Sequence, residues 1–279
     1  MISINDLTVE YYRDDPIYSP VGPISAKADE ACVEGRAVDG VRLKIPKGAI
    51  FALVGESGCG KTTLGLAITG LISQRDGRIS AGSVILDNKN ILKSSQRQLQ
   101  DIRGKQISYI FQEPASSLNP VFTIGEQIDE ALIVHKITTK NNAKEIAMAS
   151  LQKAQIDDPE RVYNSYPYQL SGGMKQRAMI AMAISTGPKL LIADEPTTAL
   201  DTDTENEILK LLLKLRDELS LSVLLITHDI RIVQRVADQV AVMYKGKIVE
   251  VGTAEKLLRV PKHEYTKLLL FSMPERLKL

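Results

Sequence analysis

Gly55-Glu56-Ser57-Gly58-Cys59-Gly60-Lys61-Thr62 fits the phosphate-binding loop pattern G-x-x-x-x-G-K-[ST] at every fixed position. The pattern constrains the fold because it works only where a strand hands over to a helix. Both flanks fit: the apolar run from Ala49 to Val54 reads as a short buried strand, and Thr63 to Ile68 opens a helix. Glycines let the backbone curl until successive N–H groups face one concavity, and the helix N-terminus adds partial positive charge. Lys61 then reaches the β- and γ-phosphates of a nucleotide, and Thr62 offers its hydroxyl to Mg²⁺. At ~4 Å and an effective dielectric near ~20, a lysine attracts each phosphate charge by roughly 4 kcal/mol before desolvation. The expected phosphate contacts are Gly55, Ser57, Gly58, Cys59, Gly60, Lys61, Thr62 and Thr63. The competing reading, a glycine-rich turn that binds nothing, does not account for strand, loop and helix arriving in the required order.

The 279 residues leave room for one large domain or two modest ones, and 44% hydrophobic residues supply a sizeable core. With 35 basic and 34 acidic residues there is no basic excess, so no nucleic-acid surface is expected. Cys32 and Cys59 form no C-x-x-C pair, and His135, His228 and His263 do not cluster in sequence. Neither a disulfide framework nor a resident metal centre is indicated, which suits a reducing cytosol. Met1-Ile2-Ser3-Ile4-Asn5-Asp6 lacks the regions of a signal peptide, and Asp6 is acidic where such a segment is basic. The longest apolar run, Ala178 to Ile184, is far short of the ~18 residues that span a bilayer. Any membrane association is expected to come through a partner.

Residues 2–12 read as a strand with partial alternation. The stretch from Arg13 to Arg36, with Pro16, Pro20, Gly22, Pro23 and Gly35, reads as an irregular excursion. Further strands are expected over Val38–Ile45, Ala81–Asp87 and Ile107–Phe111, the last ending at Gln112. Prolines 114 and 120 break regularity, and a helical pattern follows from Ile124 to about Asp157. Ser171-Gly172-Gly173 opens a helix that runs to Ser185. Its glycines expose N–H groups able to hold a phosphate, although Ser-Gly-Gly ahead of a helix is more often a cap alone.

Lys189 to Ala193 is a short apolar strand that delivers Asp194 and Glu195 at its C-terminal end, where α/β sheets place ligand sites. With a phosphate loop upstream, Asp194 is the natural Mg²⁺ ligand, directly or one contact further out. Glu195 is placed to orient and deprotonate an attacking water. Adjacent carboxylates raise each other's cost of ionisation, which argues for a cation nearby. Thr202 to Glu205 fits a capping box for the next helix, and Ser222–Thr227 reads as a strand that brings His228 and Asp229 to the same kind of edge. Val240–Tyr244 and Lys247–Val251 read as a hairpin, and the remainder as helices.

Taken together, the phosphate loop, Gln112, Leu170-Ser171-Gly172-Gly173-Met174-Lys175-Gln176-Arg177, Leu190 to Glu195, Ala199-Leu200-Asp201 and His228 resemble an ABC-transporter ATPase subunit over nearly the whole chain. The resemblance implies an α/β fold: a P-loop NTPase (RecA-like) core with a small antiparallel β subdomain and an inserted α-helical subdomain. It implies one ABC ATPase domain over 1–279, with the core and β subdomain in 1–112 and 178–250, the helical subdomain in 113–177, and a helical tail in 251–279.

The same resemblance implies roles. Tyr11 is similar to the aromatic that stacks on adenine, with Tyr12 or Tyr18 as alternatives. Gln112 resembles the glutamine that senses Mg²⁺ and the attacking water. Ser171, Gly172 and Gly173 resemble the residues that meet the γ-phosphate of ATP bound to a second subunit, and Asp201 the residue that couples the two sites. His228 resembles the switch histidine.

The implied cofactors are ATP and Mg²⁺. The implied partners are a second ATPase subunit (a heterodimer, with a homodimer as the alternative), two transmembrane permeases and, indirectly, an extracytoplasmic solute-binding protein. The implied location is the cytoplasmic face of the cell membrane. Phe111 to Pro120, Ser171 to Ala183 and His263-Glu264-Tyr265-Thr266 are similar to the oligopeptide/dipeptide importer branch, and within it to the first of two ATPase subunit types. Nickel or oligosaccharide import is the alternative within the family, and a soluble ABC ATPase outside transport is the alternative class. Many subunits of that branch carry a cysteine-bearing extension for an iron–sulfur cluster. No cysteine follows Cys59, so no such cluster is expected.

Overall fold

The computed structural model of the chain describes residues 2–12, 35–198 and 200–271. Tyr18, Cys32 and nearly all of the excursion read between Arg13 and Arg36 lie outside the described residues, as do Ala199 and everything beyond Phe271. Contacts gather the chain into two units, Met1–Ser95 with Ile226–Leu279, and Gln96–Leu225.

The first unit begins with β1 (Ile2–Tyr11) and β2 (Arg36–Ile45), followed by β3 (Ile50–Val54), α1 (Lys61–Ile68), β4 (Gly77–Leu86) and β5 (Lys89–Asn90). β1 lies between β2 and β4, antiparallel to both, in a sheet ordered β2-β1-β4-β5. Its alternation is only partial for a visible reason: Asp6 has φ +48°, and the register to both neighbours shifts around it. β3 alternates not at all because all five of its residues are buried.

The second unit contains α2 (Gln96–Ile102), β6 (Ile107–Ile110), α3 (Pro114–Ser117), α4 (Ile124–Val134), α5 (Lys140–Lys153), α6 (Pro159–Tyr163), α7 (Gly172–Ser185), β7 (Leu190–Asp194), α8 (Thr202–Leu219) and the first four residues of β8 (Ser222–Thr227). β7 lies between β6 and β8 and pairs with β6 in parallel, Tyr109 opposite Ile192. The helical pattern from Ile124 to about Asp157 resolves into two helices. The first starts on a capping box between Thr123 and Glu126, and the chain breaks at Lys136, whose φ is +55°. Ile208, Leu211, Leu212 and Leu215 form the buried face of α8, as their spacing requires. The cap of α8 differs from the sequence reading: Asp201, not Thr202, is the N-cap. Its carboxylate accepts the backbone N–H of Thr204 at Oδ1 (2.9 Å) and the hydroxyl of Thr204 at Oδ2 (2.8 Å).

The chain returns to the first unit with α9 (Ile230–Val236), β9 (Gln239–Tyr244), β10 (Lys247–Thr253), α10 (Ala254–Arg259) and α11 (Glu264–Phe271). β9 runs parallel to β3 and turns into β10 through Lys245 and Gly246, both at positive φ, as a two-residue hairpin loop demands. Val54 of β3 and Val240 and Val242 of β9 share a core with Val233, Leu257 and Tyr265, so α10 and α11 are packed against strands of the sheet. Leu257 is 4% exposed. Leu257→Ala should cost about 2–5 kcal/mol in urea unfolding with the denaturant slope unchanged. A loss under about 1 kcal/mol would show that this helix contributes little burial.

Candidate active site

In the first unit, the end of β3 runs into the loop and α1 begins at Lys61, capped by Gly60 at φ +105°. Two glycines are required by what surrounds them. A Cβ on Gly60 would fall 2.1 Å from the Ala37 carbonyl oxygen, and one on Gly55 would fall 2.2 Å from that of Met243. Lys61 is 5% exposed, so its ammonium needs acceptors, and it finds them in the loop itself. Nζ donates to the carbonyls of Gly55 and Glu56, each at 2.8 Å. The Gly246 N–H donates to the Cys59 carbonyl at 3.0 Å, tying the loop to the β9–β10 turn. Burial pushes the Cys59 thiol up, with Lys61 offsetting only part of this, so the sulfur is a neutral member of the loop. Thr62 is half-buried at the start of α1, and its neighbour Thr63 is buried. Tyr11 is half-buried at the end of β1, its hydroxyl 3.4 Å from Thr63 Oγ1, whereas Tyr12 is 51% exposed. His228 follows β8 and is exposed. Next to it, Asp229 caps α9 and pairs with Arg231; burial opposes its ionisation, but Arg231 holds the carboxyl below its usual range.

The second unit gathers a carboxylate pair at the end of β7. Asp194 is 2% exposed and accepts a hydrogen bond from the Tyr109 hydroxyl at Oδ2, 2.7 Å. Glu195 leaves the strand at φ +46°, a left-handed conformation that a glutamate adopts only where its surroundings impose it. Gln112 Nε2 donates to Glu195 Oε2 at 3.0 Å and the Thr198 hydroxyl donates to the same oxygen at 2.9 Å. The structure therefore brings together Gln112 and Glu195, two of the three residues expected to be catalytic, with Asp194 adjacent in the chain.

Ser171 is the N-cap of α7, its hydroxyl accepting from Met174 N at 3.4 Å, so it caps its own helix as such residues commonly do. Gly173 lies so close to α8 that an added Cβ would meet Thr204 Cγ2 at 2.7 Å. Thr204 is the residue that Asp201 binds through two hydrogen bonds. Asp201 and Gly173 are thus linked through one side chain, while Gly172 is exposed beside them.

The family model described as ABC transporter matches residues 38–198, from β2 through the strand that ends in Asp194 to Thr198. The chain belongs to the ABC transporter family. As a cassette of this family it is an ATPase. It is 44% identical over 276 residues to a probable peptide ABC transporter ATP-binding protein, y4tR, of Sinorhizobium fredii, covering 99% of this chain and 77% of that protein. It is 49% identical to the oligopeptide transport ATP-binding protein AppD of Bacillus subtilis, covering 85% and 73% respectively. It is 47% identical to the dipeptide transport ATP-binding protein DppD of Haemophilus influenzae, covering 86% and 72%. Among solved structures it is similar to the ATP-binding cassette MJ0796, a dimer bound to ADP and Pi, with TM-score 0.74 and 27% identity, covering 91% of this chain and 99% of that one. A second, cbiO1 of Clostridium perfringens, gives TM-score 0.71 and 25% identity, covering 96% and 98%. The mixed α/β P-loop cassette fold expected from the sequence is the fold of these neighbours.

The sequence reading missed Tyr109 and Thr198. Tyr109 carries a weak signal, a hydroxyl-bearing ring in a strand that is otherwise buried, at the register position beside β7. In this ABC ATPase, Gly55→Ala should lower ATP affinity by more than about tenfold, because a 2.2 Å clash with backbone can be relieved only by moving the loop. Unchanged ATP titration with this variant would show that the loop tolerates displacement.

Proposed function

We propose that this chain is the ATP-hydrolysing subunit of an importer for di- or oligopeptides, acting as one of a pair of ATPase subunits on two transmembrane permeases. The observation that carries the catalytic half is the Glu195 carboxylate fixed by Gln112 and Thr198 immediately after the buried Asp194. The transport half is supported by relatives at 44–49% identity that are named for peptide, oligopeptide and dipeptide transport. Pairing is supported by the dimeric cassettes that share the fold. A heterodimer is the preferred pair, and a solute-binding protein acts through the permeases, not on this chain. No described helix is long and apolar enough to cross a membrane, which suits a subunit held at the cytoplasmic face by those permeases. In this reading the core and β subdomain take 1–112 and 178–250, residues 113–177 form the helical part that docks on the permease, and 251–279 form the tail.

In the proposed mechanism, Tyr11 packs on adenine, Lys61 and the N–H groups of Gly55 to Thr63 hold the phosphates, and His228 binds the γ-phosphate. Ser171, Gly172 and Gly173 face the nucleotide of the partner subunit, and Asp201 holds their helix in register through Thr204. Glu195 takes a proton from the water whose oxygen attacks the γ-phosphorus, while the oxygen bridging the β- and γ-phosphorus leaves with ADP. Two donors on Oε2 fix the plane of the carboxylate for that transfer.

The oxygen donors of Asp194, Gln112 and Thr62 fit Mg²⁺. Among the described residues no group of three or more His, Cys, Asp and Glu gathers as a cage. Mg²⁺ takes one or two carboxylates together with substrate phosphates, and a carboxylate as buried as Asp194 suits that part. When bound, Mg²⁺ neutralises charge developing on the phosphate oxygens.

Glu195→Gln should keep ATP binding while turnover falls by about 10²–10⁴-fold, whereas Lys61→Ala should weaken binding itself. Full turnover in the glutamine variant would sink the base assignment. Capture of the tagged chain from mildly solubilised membranes should bring two permeases and a second ATPase, identified by mass spectrometry. Recovery only from the soluble fraction, with ribosomes or DNA, would overturn the transport reading and leave the ATPase intact.

A further inference from the structure

The Gly55–Glu56 peptide is gripped from both sides. Its carbonyl accepts the Lys61 ammonium at 2.8 Å, and its N–H, which a trans peptide directs the opposite way, donates to the Tyr265 hydroxyl at 3.1 Å. The tyrosine comes from α11, 209 residues away in sequence. It is held there by three independent contacts. Its ring stacks on Tyr244 with centroids 4.1 Å apart, at the end of the strand whose following turn ties Cys59. It packs in the core with Val54, Val240, Val242 and Leu257. The chain leading into α11 is anchored by Glu250, whose carboxylate accepts the N–H groups of Lys262 (2.9 Å) and His263 (3.0 Å), while His263 Nδ1 accepts the Tyr265 N–H at 3.1 Å. A tyrosine 7% exposed, with burial pushing its hydroxyl up to about 12, keeps its proton and stays a fixed neutral partner.

We propose that Tyr265 is a positioning residue for the phosphate-binding loop, holding the Gly55–Glu56 peptide in the orientation that turns its carbonyl onto Lys61 and so sets the lysine for nucleotide phosphate. The proposal rests on the phosphate-loop reading above and adds that loop affinity depends on a side chain of α11. Glu56 is exposed, so without the hydroxyl its N–H is free to turn to water. The peptide then rotates, the carbonyl leaves Lys61, and nucleotide must select the remaining competent fraction. The apparent dissociation constant rises by the inverse of that fraction.

The test is nucleotide binding and turnover by the full chain carrying Tyr265→Phe or Tyr265→Leu, with Mg·ADP calorimetry, steady-state ATPase assays and thermal melting. Tyr265→Phe keeps the stacked ring and removes one oxygen. It should raise the Mg·ADP dissociation constant and the KM for ATP together, by about tenfold if a tenth of the molecules stay competent, with kcat nearly kept. Tyr265→Leu should show the same loss of affinity with a lower melting temperature. Wild-type affinity in Tyr265→Phe would overturn the proposal, as would an affinity loss in Tyr265→Leu alone that follows its melting temperature, since packing would then be the whole effect. Equal affinity of wild type and Lys61→Ala would overturn the phosphate-loop reading itself, and this proposal with it.

Discussion

A lysine ammonium at 5% exposure cannot be left without acceptors, and the phosphate loop is shaped around supplying them. Two carbonyls of the loop turn inward onto Lys61 Nζ, and a chain that turns carbonyls inward over so few residues needs backbone conformations open to glycine. The same turn brings the loop against Ala37 and Met243 so closely that no Cβ fits at Gly60 or Gly55. Charge, curvature and close packing are therefore one constraint. A substitution that satisfied only two of them would still displace the lysine.

The carboxylate pair at the end of β7 is managed by a different route. Asp194 and Glu195 are neighbours in sequence, yet they do not share one environment. The backbone separates their environments. Asp194 is the last residue of a fully buried strand and takes a tyrosine hydroxyl, while the positive φ of Glu195 turns the chain out of the strand toward Gln112 and Thr198. Adjacent carboxylates thus end in unlike surroundings, one in the sheet and one in the turn that follows it.

Most of the strands and the phosphate loop were legible because their causes are local. β3 and β7 are uninterrupted apolar runs, and Gly60-Lys61-Thr62 marks the join between loop and helix. What escaped the sequence depended on conformation or on distant partners. Lys136 adopts the left-handed conformation that glycine usually marks, so the break between α4 and α5 left no trace in composition. Asp201 and Thr202 are both good caps standing side by side, and only the hydrogen bonds that Thr204 gives to the Asp201 carboxylate decide between them. Gln112, Asp194 and Glu195 were readable as strand-end residues. Tyr109 and Thr198 were not, since their importance lies in which oxygen their hydroxyls reach.

The phosphate motif is contiguous in sequence, yet its geometry is not self-supporting. The Cys59 carbonyl is held by Gly246 and the Glu56 N–H by Tyr265, while Ala37 and Met243 wall the loop in from two other strands. Each of these contacts is a single hydrogen bond or a close backbone approach, and one such hydrogen bond is worth about 0.5–1.5 kcal/mol net. No one of them makes the loop; acting together they remove its alternatives. That matters for an enzyme whose loop must meet a highly charged ligand, because any competing backbone arrangement populated beforehand is subtracted from affinity. The chain from β9 to α11 therefore supplies partners that the motif itself lacks, Gly246 for the Cys59 carbonyl and Tyr265 for the Glu56 N–H.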